Sequence, residues 1–342
     1  MQNLELFTRT LKVIVAAVFA SVIFALAGAS APAQTQNSLT IATDWAPYGA
    51  HGPLFLAAQK GWFKDAGLDV TILDGKGSSS SLQLLGAEKV DIAFVQLSTM
   101  AAAVDKGMPV ISIAGFIRSG DNGIMLPLDS PIKSATDSAK DFVGKRIVYP
   151  SGGSSSSLME AFFRLVNVAR DSVNLIGVDP SALASTYVAG GVDGAVTTVA
   201  YLEPMISDKR PSRGIFFADG GLVVPSFGLV IRKADENAKS AALAKFVAAN
   251  VRAWQYVIDG RVDEAIDAII AQRPMERLDR GVMTSQLKQY LKLVDTPATK
   301  GTAPGWQDEG DWTKATAALE SAGLIKPGSA PKNYYTNRFV SK

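Results

Sequence analysis

The chain has 342 residues, 47% of them hydrophobic and 19% charged, with a formal net charge of +2. It is long enough to bury one large core or two, too apolar for a disordered chain, and lacks the basic blocks of a nucleic-acid binder. It has no cysteine, which removes thiol nucleophiles, thiolate metal sites and disulfides, and suits a protein that folds without cross-links in a Gram-negative periplasm.

Residues 1–33 read as a secretory signal peptide. Arg9 and Lys12 precede an apolar run over 13–28, and Ala31-Pro32-Ala33 supplies an A-x-A cleavage pattern. The run is short for a membrane span, and the mature part is expected to be soluble.

From residue 39 the pattern alternates strand and helix. A β-branched strand over 39–43 leads into the loop Asp44-Trp45-Ala46-Pro47-Tyr48-Gly49-Ala50-His51-Gly52. Pro53 sits at a first helical position, and Leu54, Ala58 and Trp62 follow at helical spacing. Strands are predicted over 68–73, 90–95 and 110–116, with helices opening at Ser78 and at Ser98-Thr99. This order predicts a parallel sheet covered on both faces.

A polar, turn-rich stretch, Arg118-Ser119-Gly120-Asp121-Asn122-Gly123, then opens a second α/β unit. Its strands are predicted over 123–127, 145–149, 172–176, 194–199 and 213–219, with helices over 135–143 and 155–168. Residues 221–230 carry the chain back. Leu243, Val247, Val251, Trp254 and Ile258 mark one face of a long helix, and helices over 262–271, 278–294 and 311–322 complete the chain.

The layout implies an α/β fold of two lobes, 34–118 with 226–342 and 119–225, joined by a two-segment hinge around a cleft. The Asp44–His51 loop sits where open α/β sheets hold ligands, at the carboxyl end of a strand. There Trp45 and Tyr48 would offer flat apolar contact, and Asp44 and His51 polar recognition. The alternative, which the loop's place at a strand's carboxyl end disfavours, is that Trp45 sits in the core and His51 caps a helix.

Two serine-rich turns each follow a strand and open a helix. One is Gly75-Lys76-Gly77-Ser78-Ser79-Ser80-Ser81; the other is Ser151-Gly152-Gly153-Ser154-Ser155-Ser156-Ser157, of which Ser78 and Ser151, Gly152, Gly153, Ser154 and Ser155 are the candidate ligand contacts. Free N–H groups make such turns anion sites, although serines also cap helices for structural reasons alone. Gln96, at the end of the third strand, and Tyr201 and Glu203 in Tyr201-Leu202-Glu203-Pro204 complete the candidate ligand-binding set. Glu203 would bind an amine or amidine, or would simply be a solvated glutamate early in a helix.

Catalytic patterns are weak. His51 is the only histidine, no Gly-x-Ser-x-Gly elbow exists, and no cluster has metal-ligand spacing. No cofactor or metal is expected.

Beside these residues, Lys60-Gly61-Trp62-Phe63-Lys64-Asp65-Ala66-Gly67-Leu68-Asp69-Val70 resembles the substrate-binding proteins of ABC importers in the thiamine-precursor and sulfonate/nitrate/taurine group. The likeness continues through Val90-Asp91-Ile92-Ala93 to Tyr335-Thr336-Asn337-Arg338-Phe339. It implies a two-lobed type II periplasmic binding protein fold. It also implies pyrimidine contacts at Trp45, Pro47, His51 and Glu203, with Tyr48 standing where that branch usually carries Asn. A fungal relative builds the pyrimidine with a cysteine-rich iron motif, and a desulfinating relative uses a cysteine nucleophile; this chain has neither.

The expected protein is a periplasmic, monomeric solute receptor that binds no nucleic acid. It would close on a small flat or anionic molecule and deliver it to an inner-membrane ABC permease. The rivals are an exported hydrolase or lyase on the same fold, a receptor for an aromatic carboxylate or riboflavin, and a receptor that presents itself to a sensor kinase.

Overall fold

Leu39-Thr40-Ile41, with β-branched side chains at Thr40 and Ile41, lies in the strand on which the first half of the protein is built. The computed structural model describes residues 37–136, 139–151 and 154–342; the leader and its cleavage site, Gly152 and Gly153 lie outside them. Ser38–Lys342 form one unit.

In chain order, β1 (Ser38–Ala42), α1 (Gly52–Gln59), α2 (Trp62–Asp65), β2 (Asp69–Leu73), α3 (Ser78–Gly86), β3 (Ile92–Gln96), α4 (Leu97–Asp105) and β4 (Val110–Ile117) make the first half. The second half holds β5 (Asn122–Pro127), β6 (Arg146–Pro150), α5 (Ser154–Leu165), β7 (Asn174–Val178), α6 (Leu183–Val188), β8 (Gly194–Thr198), α7 (Val199–Ile206) and β9 (Ser212–Phe216). β10 (Phe227–Arg232) returns to the first half. It is followed by α8 (Asp235–Ala238), α9 (Ser240–Ile258), α10 (Val262–Gln272), α11 (Arg280–Leu291) and α12 (Glu309–Ser321).

Two five-stranded sheets result among the described residues, in the orders β2-β1-β3-β10-β4 and β7-β6-β8-β5-β9. They share one plan. β1, β2 and β3 are parallel, and β10 runs antiparallel between β3 and β4. Likewise β6, β7 and β8 are parallel, and β5 runs antiparallel between β8 and β9. In each sheet the antiparallel strand is the one that has just arrived from the other sheet. The sheets are therefore mixed and not wholly parallel, because the pattern within one lobe does not reveal a strand inserted from 110 residues away.

All five residues of β3 are buried, as a central strand covered on both faces requires. Ile92 and Phe94 face one cluster with Phe246, Val247 and Trp254 of α9. Ala93 and Val95 face the other, with Leu82, Leu85 and Met100. Phe116 stacks on Trp254 and Phe63 on Phe246, with centroids 5.3 and 5.0 Å apart. In the second sheet Ile124 and Leu126 face Phe162, and Met125 packs with Val148, Leu183 and Tyr187. Each such large side chain, once buried, contributes about 1.5–3 kcal/mol.

Among the described residues of the helix predicted over 135–143, the structure has a 3-10 turn, Ala139–Phe142; residues 137 and 138 lie outside them. The chain passes between the sheets at residues 118–121 and 217–226, and at both crossings the backbone is tied to the first half. Arg118 and Ser119 donate their N–H groups to Leu293 O, and Ser226 N donates to Ile117 O at 2.9 Å.

Candidate functional site

A cavity of about 100 Å³ lies between the two sheets, at the ends of their parallel strands. From the first half come Asp44, Trp45 and Tyr48 after β1, Gly77 and Ser78 before and at the start of α3, and Phe227 at the start of β10. From the second come Pro150 ending β6, Ser155 on α5, Pro180 and Leu183 after β7, Thr197 and Thr198 ending β8, and Tyr201 on α7.

The first wall is set by close backbone packing. Gly75 N donates to Trp45 O at 3.2 Å and Gly77 N to Asp44 O at 2.7 Å. A Cβ on Gly75 would stand 1.9 Å from Thr43 O, and Gly77 has φ +130, a conformation that a side chain resists. These two glycines seat the loop that carries Asp44 and Trp45. Ser81 Oγ also donates to Thr43 O at 2.7 Å.

Asp44 is anchored from beneath. His51 Nε2 lies 2.8 Å from its Oδ1. A carboxylate only accepts, so the ring nitrogen donates, and the Tyr48 hydroxyl donates to the same oxygen at 3.3 Å. His51 is 1% exposed and does not line the cavity; it holds the residue that does. Tyr48 meets Tyr201 edge-on with centroids 5.3 Å apart. This aromatic contact joins the two halves. Burial raises the pKa of Tyr48, with the negative charge of Asp44 adding to it, and burial likewise raises that of Tyr201, so both remain neutral phenols.

Behind this wall lies a second, fully buried carboxylate. Asp121 Oδ1 accepts from Ser226 Oγ at 2.5 Å, Gln96 Nε2 at 3.1 Å and Asn122 Nδ2 at 3.1 Å. Burial pushes its pKa up to about 6, against these hydrogen bonds.

Asp44, Trp45, Tyr48, Ser78, Ser155 and Tyr201 of the sequence-derived set thus come together. Pro47 is buried beside them. Gln96 is buried behind the wall, its N–H donating to Ser78 Oγ at 3.1 Å. Ser151 is exposed at the end of β6. The Glu203 carboxylate accepts from Gln289 Nε2 at 3.2 Å and does not line the cavity. The backbone of Ser154 starts α5.

Sequence reasoning placed Gly77 only within the first serine-rich turn and did not offer Pro150, Pro180, Leu183, Thr197, Thr198 or Phe227 as site residues. Thr197 and Thr198 had a signal, as they end a strand of the second sheet. Phe227 had none, because its place depends on the inserted strand. Among the described residues Asp44 is the only carboxylate in the lining, and no Lys, Arg or His joins it. Among the described residues no group of three His, Asp or Glu side chains is placed to hold a metal ion.

The family description "NMT1/THI5 like" matches residues 49–261. A 4-amino-5-hydroxymethyl-2-methylpyrimidine phosphate synthase of Aspergillus parasiticus is 33% identical over 319 residues, 89% of this chain and 88% of that protein. A formylaminopyrimidine-binding protein of Halalkalibacterium halodurans is 23% identical, covering 83% of this chain and 85% of that one. Among solved structures, the alkanesulfonate-binding protein SsuA from Xanthomonas axonopodis pv. citri, bound to MOPS, superposes with a TM-score of 0.65. It is 14% identical and covers 88% of this chain and 98% of its own. The fold is therefore the two-lobed periplasmic binding protein fold that the crossings and the resemblance led one to expect. The named relatives include both a binding protein and a synthase.

Proposed function

The chain belongs to the NMT1/THI5-like family, and on that footing we propose that it is the periplasmic solute-binding component of an ABC import system. Its ligand is a small flat heteroaromatic molecule of the aminopyrimidine, thiamine-precursor kind, held between the two halves for delivery to a membrane permease. One observation carries this reading. Among the described residues the cavity is walled by aromatic rings from both halves, with one carboxylate acceptor and no cationic side chain.

Trp45, Tyr48 and Tyr201 supply the flat contact that a ring needs, and Asp44 accepts from an exocyclic amine. A sulfonate or nitrate would stand against the Asp44 carboxylate with only helix starts and hydroxyls to offset it. The cavity, about 100 Å³, is small beside the roughly 300–1,000 Å³ of sites for drug-sized ligands, which favours a single ring over riboflavin. Closure would exclude water and strengthen the polar contacts.

We read the protein as non-catalytic. The chain has no cysteine, and Asp44, the one carboxylate in the lining among the described residues, is engaged by His51 and Tyr48, so that lining offers no free acid–base pair.

A thermal-shift panel of 4-amino-5-hydroxymethyl-2-methylpyrimidine, riboflavin, ethanesulfonate, nitrate and aromatic acids tests this. The pyrimidine should raise the melting temperature, since a ligand at 100 times its Kd adds about 2.7 kcal/mol. No shift with any compound would sink the receptor reading. Turnover of a bound compound, lost in His51→Ala, would establish an enzyme instead.

A further inference from the structure

Two serines face the cavity from opposite halves, and their hydrogen-bonding roles are set from behind by one buried chain of polar groups. Ser78 Oγ accepts the Gln96 N–H at 3.1 Å, which leaves its own O–H free to donate. Gln96 Nε2 donates to Asp121 Oδ1 at 3.1 Å, and so does Asn122 Nδ2 at 3.1 Å. The carboxylate oxygen can only accept, so the amide nitrogen of Asn122 must face it and the amide oxygen must point the other way. Ser155 Oγ lies 2.8 Å from that oxygen, Asn122 Oδ1. Its hydroxyl proton is therefore committed to Asn122, and only lone pairs remain for the cavity. Asp121, Asn122, Gln96, Ser78 and Ser155 are all at most 5% exposed, so water does not compete for these bonds.

We infer that Asn122, oriented by Asp121, is a positioning residue that fixes Ser155 as an acceptor toward the ligand, opposite a donating Ser78. The site then selects a molecule with an acceptor on one edge and a donor on the other, as in an amide or amidine edge. A sulfonate or nitrate presents acceptors on every side and meets the Ser155 lone pairs as well as Asp44. The inference rests on the cavity being the ligand site, as proposed above.

Titration calorimetry of wild type, Asn122→Ala and Ser155→Ala with two probes, 4-amino-5-hydroxymethyl-2-methylpyrimidine and ethanesulfonate, tests it. Wild type should prefer the pyrimidine. In Asn122→Ala the Ser155 proton is released to turn toward an anion. Pyrimidine binding should weaken roughly tenfold while sulfonate binding tightens, which a purely structural role would not produce. Ser155→Ala lies on the cavity wall and spares the hinge, so it decides the matter if Asn122→Ala does not fold. It should weaken the pyrimidine roughly tenfold without weakening the sulfonate. Equal weakening of both probes, or an unchanged ratio, would overturn the inference alone. Wild type binding neither probe, or only the sulfonate, would overturn the proposed ligand class with it.

Discussion

The Ser226 hydroxyl donates to Asp121 Oδ1 at 2.5 Å, so the two segments of chain that pass between the sheets are joined at a buried carboxylate. Burial is the main reason that its pKa is raised to about 6, and the negative charge of Asp44 adds to the rise. An unfolded aspartate titrates near 3.9. Between these values the folded protein holds a proton that the unfolded chain has released. Stability present below about 4 is therefore lost as pH rises through about 6. Asp121→Asn cannot titrate. Its unfolding free energy relative to wild type should rise between pH 4 and 6, by an amount on the order of 3 kcal/mol, and level off above. Urea unfolding of both proteins across that range is the check, and a difference independent of pH would refute it.

His51 supports Asp44 and does not touch the cavity. His51→Ala should leave Asp44 Oδ1 with only the 3.3 Å bond from Tyr48 and a void where the ring packed against Phe94. We expect a loss of about 2 kcal/mol in unfolding free energy, and ligand binding weakened by roughly tenfold or more as the carboxylate loses its fixed direction. Denaturant titration and calorimetry on the same preparation would measure both.

The two carboxylates singled out in the sequence should separate cleanly. Asp44 lines the cavity, whereas Glu203 is engaged by Gln289. Asp44→Asn should weaken pyrimidine binding roughly tenfold or more, because an amide oxygen accepts less strongly than a carboxylate. Glu203→Gln should leave the affinity within about threefold, the scale of surface polar changes. The reverse ranking, read by calorimetry, would mean that closure brings α7 further into the cleft.

How much of this was legible follows from how local each signal is. The strand, the Asp44–Trp45 loop and the serine-opened helix α3 are adjacent in sequence, and each carries its own pattern, so they could be read directly. The depth of His51 could not. It depends on the face that Phe94 and Trp254 build, one on β3 and the other on α9. Tyr201 was legible only as part of a motif; its contact with Tyr48 exists because Gln286, on α11, holds Tyr201 O at 2.9 Å and Gly49 N at 3.1 Å. Asp121 read as a polar turn residue, and nothing in the local sequence shows that three donors converge on it.

The glycine at 75 gives the sharpest steric test of the site's architecture. Its N–H donates to Trp45 O and to Thr43 Oγ1 at 3.1 Å, and Thr43 Oγ1 in turn donates to Trp45 O at 2.8 Å. A Cβ at this position would lie 1.9 Å from Thr43 O and 2.8 Å from the Asp44 carbonyl carbon. Both contacts are backbone, so no rotamer change relieves them. The chain must move, and the segment free to move is the one carrying Asp44 and Trp45. Gly75→Ala should therefore cost more than about 2 kcal/mol of stability. It should also weaken ligand binding more than tenfold, since a 1 Å displacement of positioning groups is enough to do so. Gly67→Ala is the control. Its φ of +74 strains a side chain, but its Cβ would approach only Lys245 Nζ, at 3.8 Å, so it should lose about 1 kcal/mol with binding intact. Equal effects of the two substitutions on binding would show that the close approach at Gly75 does not position the cavity wall.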